Sequence, residues 1–385
     1  NDPEIALAVR YLNYIGSKQY NAEALQKEFY KIGCSFNVSA GAEKTYVSLS
    51  GLAENLEKGI ALFESFLKDP VADPDAYKKL VSKIEKSRND AKSNKGTILK
   101  SAMVSYAKHG ANSPFTDIMQ TEELLKINPN TLTEKIKRLS RYPHKVLYYG
   151  PHQTTTVENY LKKYHKTKGK PLTAPTKKTY KELPLEQPQV YFVDYDMVQS
   201  EVIMISKSVP YDYSISPKAS VFNEYFGGNM SSIVFQEIRE ARALAYSVYS
   251  RYAATSDTTK SNYMVSYVGT QSDKLPEALE GMNGLLNDLP LIENVFENSL
   301  TSLQKQLATS RTTKSALFFK EESAHRLGKD YDTNIDLNNY YKKASIKDVQ
   351  KFHKSYIKDQ PKTYLIIGKK EDIDWERIEK LGEVK

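Results

Sequence analysis

One cysteine, Cys34, stands in the 385 residues, so no internal disulfide can form, and cysteine usage leaves the redox compartment open. No apolar run approaches the length of a bilayer span, and the opening NDPEIALAVRYL lacks the pattern of a secretory signal. Paired histidines are also missing: His109, His144, His152, His165, His325 and His353 form no H-x-x-x-H or comparable spacing. Glu322 and His325 have E-x-x-H spacing, but in one copy where a di-metal site uses two. Spacing therefore yields no metal site. Cys34, with no second thiol and no adjacent base, reads as a small buried residue. The net charge of +8 lacks the clustering with aromatics that marks a nucleic-acid motif. The lysines spread along helices and a linker, which implies a solvated surface with at most an attraction for acidic peptides. Generic polyanion binding is the least supported reading.

What is present is globular: 40% hydrophobic and 26% charged residues, in a length that supports two large cores. The stretch from Phe222 to Tyr252, FNEYFGGNMSSIVFQEIREARALAYSVYSRY, carries the densest set of signals. An aromatic-apolar helix is broken by Gly227 and Gly228, which tolerate the positive φ of a helix exit. Ser231 and Ser232 are candidate caps for a second helix holding Arg239, and from Tyr246 the composition turns to alternating strand type.

The chain repeats itself. YLNYIGS (11–17) lies over FNEYFGG (222–228) at an offset of 211, and SFNVS at 35 lies over YSVYS at 246 at the same offset. HKVLYYG, ending at Gly150, parallels KTYLIIG, ending at Gly368, so each copy is expected to close on a strand. In the first copy, helices are expected over 4–15, from Asn21 through Lys31, over 52–68 and over 73–92, the last with Asp73 as N-cap and Pro74 at its first position; hairpin strands fall at SFNVSAG and KTYVSLSGL. Helices over 272–289 and 292–311 hold the equivalent places in the second. The predicted class is α+β, with domains at 1–165 and 190–385 joined by a lysine- and proline-rich linker over 166–189.

The segment around Arg239 closely resembles the arginine–tyrosine motif of the C-terminal half of pitrilysin/insulinase zinc metallopeptidases. There, FGG-x-x-S-x-x-F-Q-x-[LI]-R is followed seven residues on by tyrosine, here Tyr246. The resemblance covers nearly the whole chain. It implies two homologous domains, each an antiparallel-rich sheet with helices on one face, the mitochondrial-processing-peptidase/LuxS-like metallohydrolase fold. It also implies that Arg239 and Tyr246 bind substrate backbone and the developing oxyanion, as preorganised donors do in a water-poor chamber.

The catalytic half of such enzymes carries H-x-x-E-H on the helix before the first glycine. Counting back from Gly16 puts Leu7 and Tyr11 at the histidine positions and Arg10 at the base position, so that chemistry is absent here. Glu85 is the one position that could match the family's third ligand, and reads more simply as a charge on a lysine-rich face. The expectation is a catalytically incomplete half that alone does not hydrolyse peptides. Zinc would come from a partner, an N-terminal half or separate subunit, and peptide would be the substrate. Family domains open with strands before the first helix, and here none precedes residues 4–15, which suggests part of a longer polypeptide. A scaffold subunit of the same fold and a natural heterodimer subunit remain alternatives. Exported bacterial relatives make an extracytoplasmic site a reasonable expectation.

Overall fold

The computed structural model describes residues 2–41, 44–167 and 169–385, so Asn1, Ala42, Glu43 and, within the expected linker, Lys168 lie outside the description. The chain forms two compact units, Asn1–Ala91 with Asp117–Thr179, and Lys92–Thr116 with Tyr180–Lys385. The sequence boundaries at 166–189 did not anticipate that residues 92–116 would be counted with the second unit.

In unit 1, α1 (Pro3–Tyr11) starts where the Asp2 carboxylate accepts the amides of Glu4 and Ile5, with Pro3 at a position that needs no amide donor. Asn21 caps α2 (Ala22–Lys31) through the Ala24 amide. A hairpin follows, β1 (Cys34–Ala40) and β2 (Thr45–Gly51), whose polar serines and Asn37 alternate with Phe36, Val38, Val47 and Leu49. The apolar set packs on the helices. Two further helices, α3 (Leu56–Lys68) and α4 (Pro74–Lys92), lie where the periodicity placed them. Asp73 caps α4 by accepting from Asp75 and Ala76. The core joins Tyr11, Leu12, Leu25, Phe29, Phe63, Phe66, Leu80 and, from α5 (Pro129–Lys137), Leu132 and Ile136. Fully burying a ring such as Phe29 or Phe66 contributes about 1.5–3 kcal/mol. Unit 1 ends with α6 (Thr154–Tyr164).

One expectation fails in this unit. Residues 144–150 are not a strand: they are extended, largely exposed, and belong to no sheet. A strand is defined by its neighbour's hydrogen bonds, and among the described residues the unit-1 sheet pairs β1 with β2 alone.

Unit 2 is built on a six-stranded sheet in the order β5-β6-β4-β7-β3-β8. Its strands are β3 (Gln189–Asp194), β4 (Gln199–Pro210), β5 (Ser247–Ala253), β6 (Ser261–Gln271), β7 (Thr363–Gly368) and β8 (Glu383–Val384). The β5–β6, β6–β4 and β4–β7 pairs are antiparallel, while β3 runs parallel to β7 and β8. On one face pack α7 (Ile215–Phe226), α8 (Leu275–Asn287), α9 (Glu293–Thr309) and α10 (Ile346–Tyr356), enclosing Phe222, Phe226, Val268, Leu279 and Ile366. Leu99, Met103 and Ala107 cover the other face over Ile203, Ile205, Leu365 and Ile367. The two-sided cover explains the unbroken apolar run VIMI in β4.

Candidate functional site

Arg239 and Tyr246 occupy one helix–turn–strand passage. Residues Phe235–Ala241 form a π-helical segment, a widened turn that recurs at functional sites and here carries Arg239. Arg242 leads to Ala243, whose φ of 49° reverses the chain, and the Leu244 amide returns to the Ile238 carbonyl at 2.9 Å. Thr270 donates its hydroxyl to the Leu244 carbonyl, and the Tyr246 amide donates to the Gly269 carbonyl at 3.0 Å. The backbone bearing both residues is therefore fixed to β6.

Their side chains face outward. The Arg239 side chain is 45% exposed, its guanidinium 4.8 Å from the Phe235 ring centre and its Nε 3.6 Å from Glu240. Tyr246 is 60% exposed, and its hydroxyl has no hydrogen-bond partner among the described residues. The structure brings the two onto one passage, and no hydrogen bond among the described residues joins them to each other. A long cation resting on an aromatic ring and an unengaged phenol are both available to donate to carbonyl oxygens.

The glycine pair before this passage does a different job from the one expected. Gly227 has φ of −156°, and neither it nor Gly228 is in the left-handed region. What Gly227 permits is contact: the Ser250 amide donates to its carbonyl at 3.2 Å. Asn223 adds a second clasp, its side chain exchanging two hydrogen bonds with the Tyr252 backbone. The serines also differ from the expectation, since Ser232 donates its hydroxyl to the Asn229 carbonyl and the Ser231 amide donates to Asn229 Oδ1. Among the described residues neither hydroxyl accepts a helix amide. Asn229 organises the turn.

The helix in the zinc-motif position is built as core. Leu7 and Tyr11 are buried, and the Tyr11 hydroxyl donates to the Asp73 carbonyl at 2.6 Å and accepts the Asp73 amide at 2.9 Å. Burial pushes the Tyr11 phenol above its usual range. Arg10 points to the surface, its Nη2 donating to the Ala40 carbonyl. Glu85 is half-buried on α4 and His325 exposed. These residues do not fit a zinc ion: an alkyl group, an engaged phenol and a guanidinium cannot replace two imidazoles and a carboxylate. Among the described residues no group of three or more His, Cys, Asp or Glu is arranged to hold a metal. Cys34 is buried with its Sγ against Gly51 and Gly59, and desolvation raises its thiol pKa.

One histidine pair escaped the sequence because its members lie 21 residues apart. His144 Nε2 and His165 Nε2 are 2.9 Å apart, and His165 Nδ1 is 2.8 Å from the Glu64 carboxylate. His144 Nδ1 faces the Tyr142 carbonyl at 2.7 Å, an acceptor only, so that nitrogen carries a hydrogen. The hydrogen bond to Glu64 holds the His165 pKa above the ordinary histidine value. Glu64 and His144 engage opposite nitrogens of one ring and do not converge on a common point.

Residues 145–306 match the family described as the peptidase M16 inactive domain, and residues 5–115 match the insulinase family, peptidase family M16. The zinc protease YmxG of Bacillus subtilis is 33% identical over 113 residues, a match spanning 28% of this chain and 27% of that protein. A zinc protease of Rickettsia bellii is 24% identical over 341 residues, taking in 85% of this chain and 77% of that one. The periplasmic protease PqqL of Escherichia coli superposes with a TM-score of 0.69 at 13% identity, over 95% of this chain and 41% of that one. That likeness shows the fold, and this chain spans about two fifths of the PqqL length.

Proposed function

The chain belongs to the insulinase (M16) peptidase family, with an inactive-domain-type fold, and on that premise we propose that it is the substrate-holding half of a zinc-dependent metalloendopeptidase. A partner half carrying H-x-x-E-H supplies the zinc ion. The carrying observation is a contrast within the chain. The helix where the motif would sit spends its side chains on the core, while Arg239 and Tyr246 stand exposed on a passage tied to β6.

In this reading Arg239 holds a substrate backbone carbonyl through its planar donors, and Tyr246 donates its hydroxyl to the oxygen that gains charge as the scissile carbonyl is attacked. Alone, the chain binds peptides and does not cleave them. A scaffold role needs neither side chain, so their joint presence favours the peptidase reading.

The test is zinc content and peptidase activity of this chain alone and after mixing with the H-x-x-E-H half. Zinc-free and inactive alone, cleavage restored in the mixture, and that rescue removed by Arg239→Ala or Tyr246→Phe is the expected set. Stoichiometric zinc on the chain alone overturns it. A mixture that assembles and never cleaves transfers the chain to the scaffold reading.

A further inference from the structure

The histidine pair of unit 1 stands on main chain that is clasped locally. His144 follows the single turn Leu139–Arg141, and His165 directly follows α6. The two segments are zipped together. The Leu172 amide donates to the Arg141 carbonyl at 2.9 Å, and the Arg141 side chain donates to the Lys170 carbonyl from Nε at 2.9 Å and from Nη2 at 2.7 Å.

Each ring is also held from behind. His144 Nδ1 donates to the Tyr142 carbonyl, and His165 Nδ1 to the Glu64 carboxylate of α3. Metal-binding histidines are oriented in this way, the nitrogen away from the ion donating to a carbonyl or a carboxylate. With a hydrogen on each Nδ1, a neutral ring turns its Nε2 lone pair forward, and the two Nε2 atoms lie 2.9 Å apart. Two lone pairs in one gap repel unless something electrophilic stands between them. One shared hydrogen can do so. So can a metal ion, since bonds of about 2.0 Å put neighbouring ligands of a four-coordinate site about 2.8–3.3 Å apart. The rings are inclined at 77° with centres 5.1 Å apart, so the nitrogens face each other nearly in line. Rotation of the side chains, without that of the clasped main chain, brings both onto one ion.

The ligand count selects the ion. Two imidazoles are fewer than the three protein ligands of catalytic zinc or the four of structural zinc, and Glu64 is engaged behind His165. Copper(II) takes imidazole nitrogens in tetragonal sites and binds a given nitrogen and oxygen set more tightly than zinc. We propose that His144 and His165 form a copper(II) site in unit 1, with Glu64 and the Tyr142 carbonyl as orienting partners and water at the remaining positions. The site is independent of the substrate-half reading. Zinc there is weakly held and lost on dialysis, so zinc content of the isolated chain still tests that reading.

The test uses the full chain, dialysed against a chelator and titrated with copper(II) sulfate near neutral pH by calorimetry, with electron paramagnetic resonance of the loaded protein. Expected are one tight equivalent, a spectrum of two equatorial nitrogens, and a raised melting temperature, because the ion binds the folded chain. His144→Ala and His165→Ala, checked for folding by circular dichroism, lose that equivalent. Glu64→Gln keeps both ligands and weakens binding by about tenfold or more. His325→Ala, at an exposed histidine elsewhere, leaves the titration unchanged. An equivalent that persists in both histidine variants is an adventitious ion only and overturns the inference. A spectrum of a single nitrogen from the parent chain overturns it without any variant, as does zinc binding as tight as copper.

Discussion

The Ser250 carbonyl oxygen lies 2.5 Å from where a Cβ on Gly227 would be, and the Ser250 amide is donated to the Gly227 carbonyl. The end of α7 thus touches the backbone of β5, the strand that follows Tyr246, and only a residue without a side chain allows it. The passage carrying both candidate site residues is held at both ends, by Gly227 against β5 and by Gly269 against Tyr246.

Gly227→Ala should therefore destabilise unit 2 by about 1–3 kcal/mol or more, because the obstructing atoms are main chain and cannot rotate away. Urea unfolding monitored by circular dichroism measures it. A neutral result would mean that α7 and β5 can separate without cost.

Tyr11→Phe keeps the ring and its edge-on contact with Tyr77, and removes the hydroxyl that serves the Asp73 amide and carbonyl. A loss of about 1–3 kcal/mol is expected from leaving the Asp73 amide without its partner, while the Asp73 carbonyl keeps the Tyr77 amide. Zinc content should not change, since the phenol is a structural clasp between α1 and the start of α4.

The Glu64–His165 pair makes a pH-dependent contribution of known sign. The folded pKa of His165 lies above its unfolded value of about 6.5, so the stabilisation is fully present below that pH and is lost as pH rises through the folded pKa. Glu64→Gln should lower stability by about 1 kcal/mol at pH 5.5, discounted for partial exposure, and by little at pH 9. Thermal melts of both proteins at the two pH values check it; an equal difference at both would show that the hydrogen bond matters and the charge does not.

Arg239→Ala and Tyr246→Phe should each change unfolding free energy by less than about 0.5 kcal/mol, since Tyr246 is exposed with its hydroxyl unengaged and Arg239 makes only exposed contacts with Phe235 and Glu240. Peptide affinity measured by calorimetry should fall with both. Loss of stability together with affinity would assign them to the fold.

The helices and the unit-1 hairpin were legible because periodicity, Asn21, Asp73 and the glycines act locally, and the fold class followed from their order. The π-helical form of 235–241 was not legible, since Ile238 and Arg239 fit an α-helix equally well. Nor was the true role of Gly227, which depends on a strand more than twenty residues away. The strand expected at 144–150 failed for a related reason: VLYY has the right composition, but composition does not supply a neighbour. The histidine pair was invisible because nothing in local spacing joins Glu64, His144 and His165. Arg239 and Tyr246 were found through a motif, and their exposure is information that only the folded chain contains.

Residues 92–116 give the molecule a threaded order of assembly. The ribosome delivers unit 1 in two instalments, with Leu99, Met103 and Ala107 emerging between them long before β4 and β7, the strands they cover. A gene cut in the lysine-rich connection would send that cover away with the first product. The second product would then display Ile203, Ile205, Leu365 and Ile367 as a bare apolar sheet face, and should precipitate unless 92–116 is returned to it. Separate expression of the halves of this chain thus calls for a transplant of that segment, not a single incision.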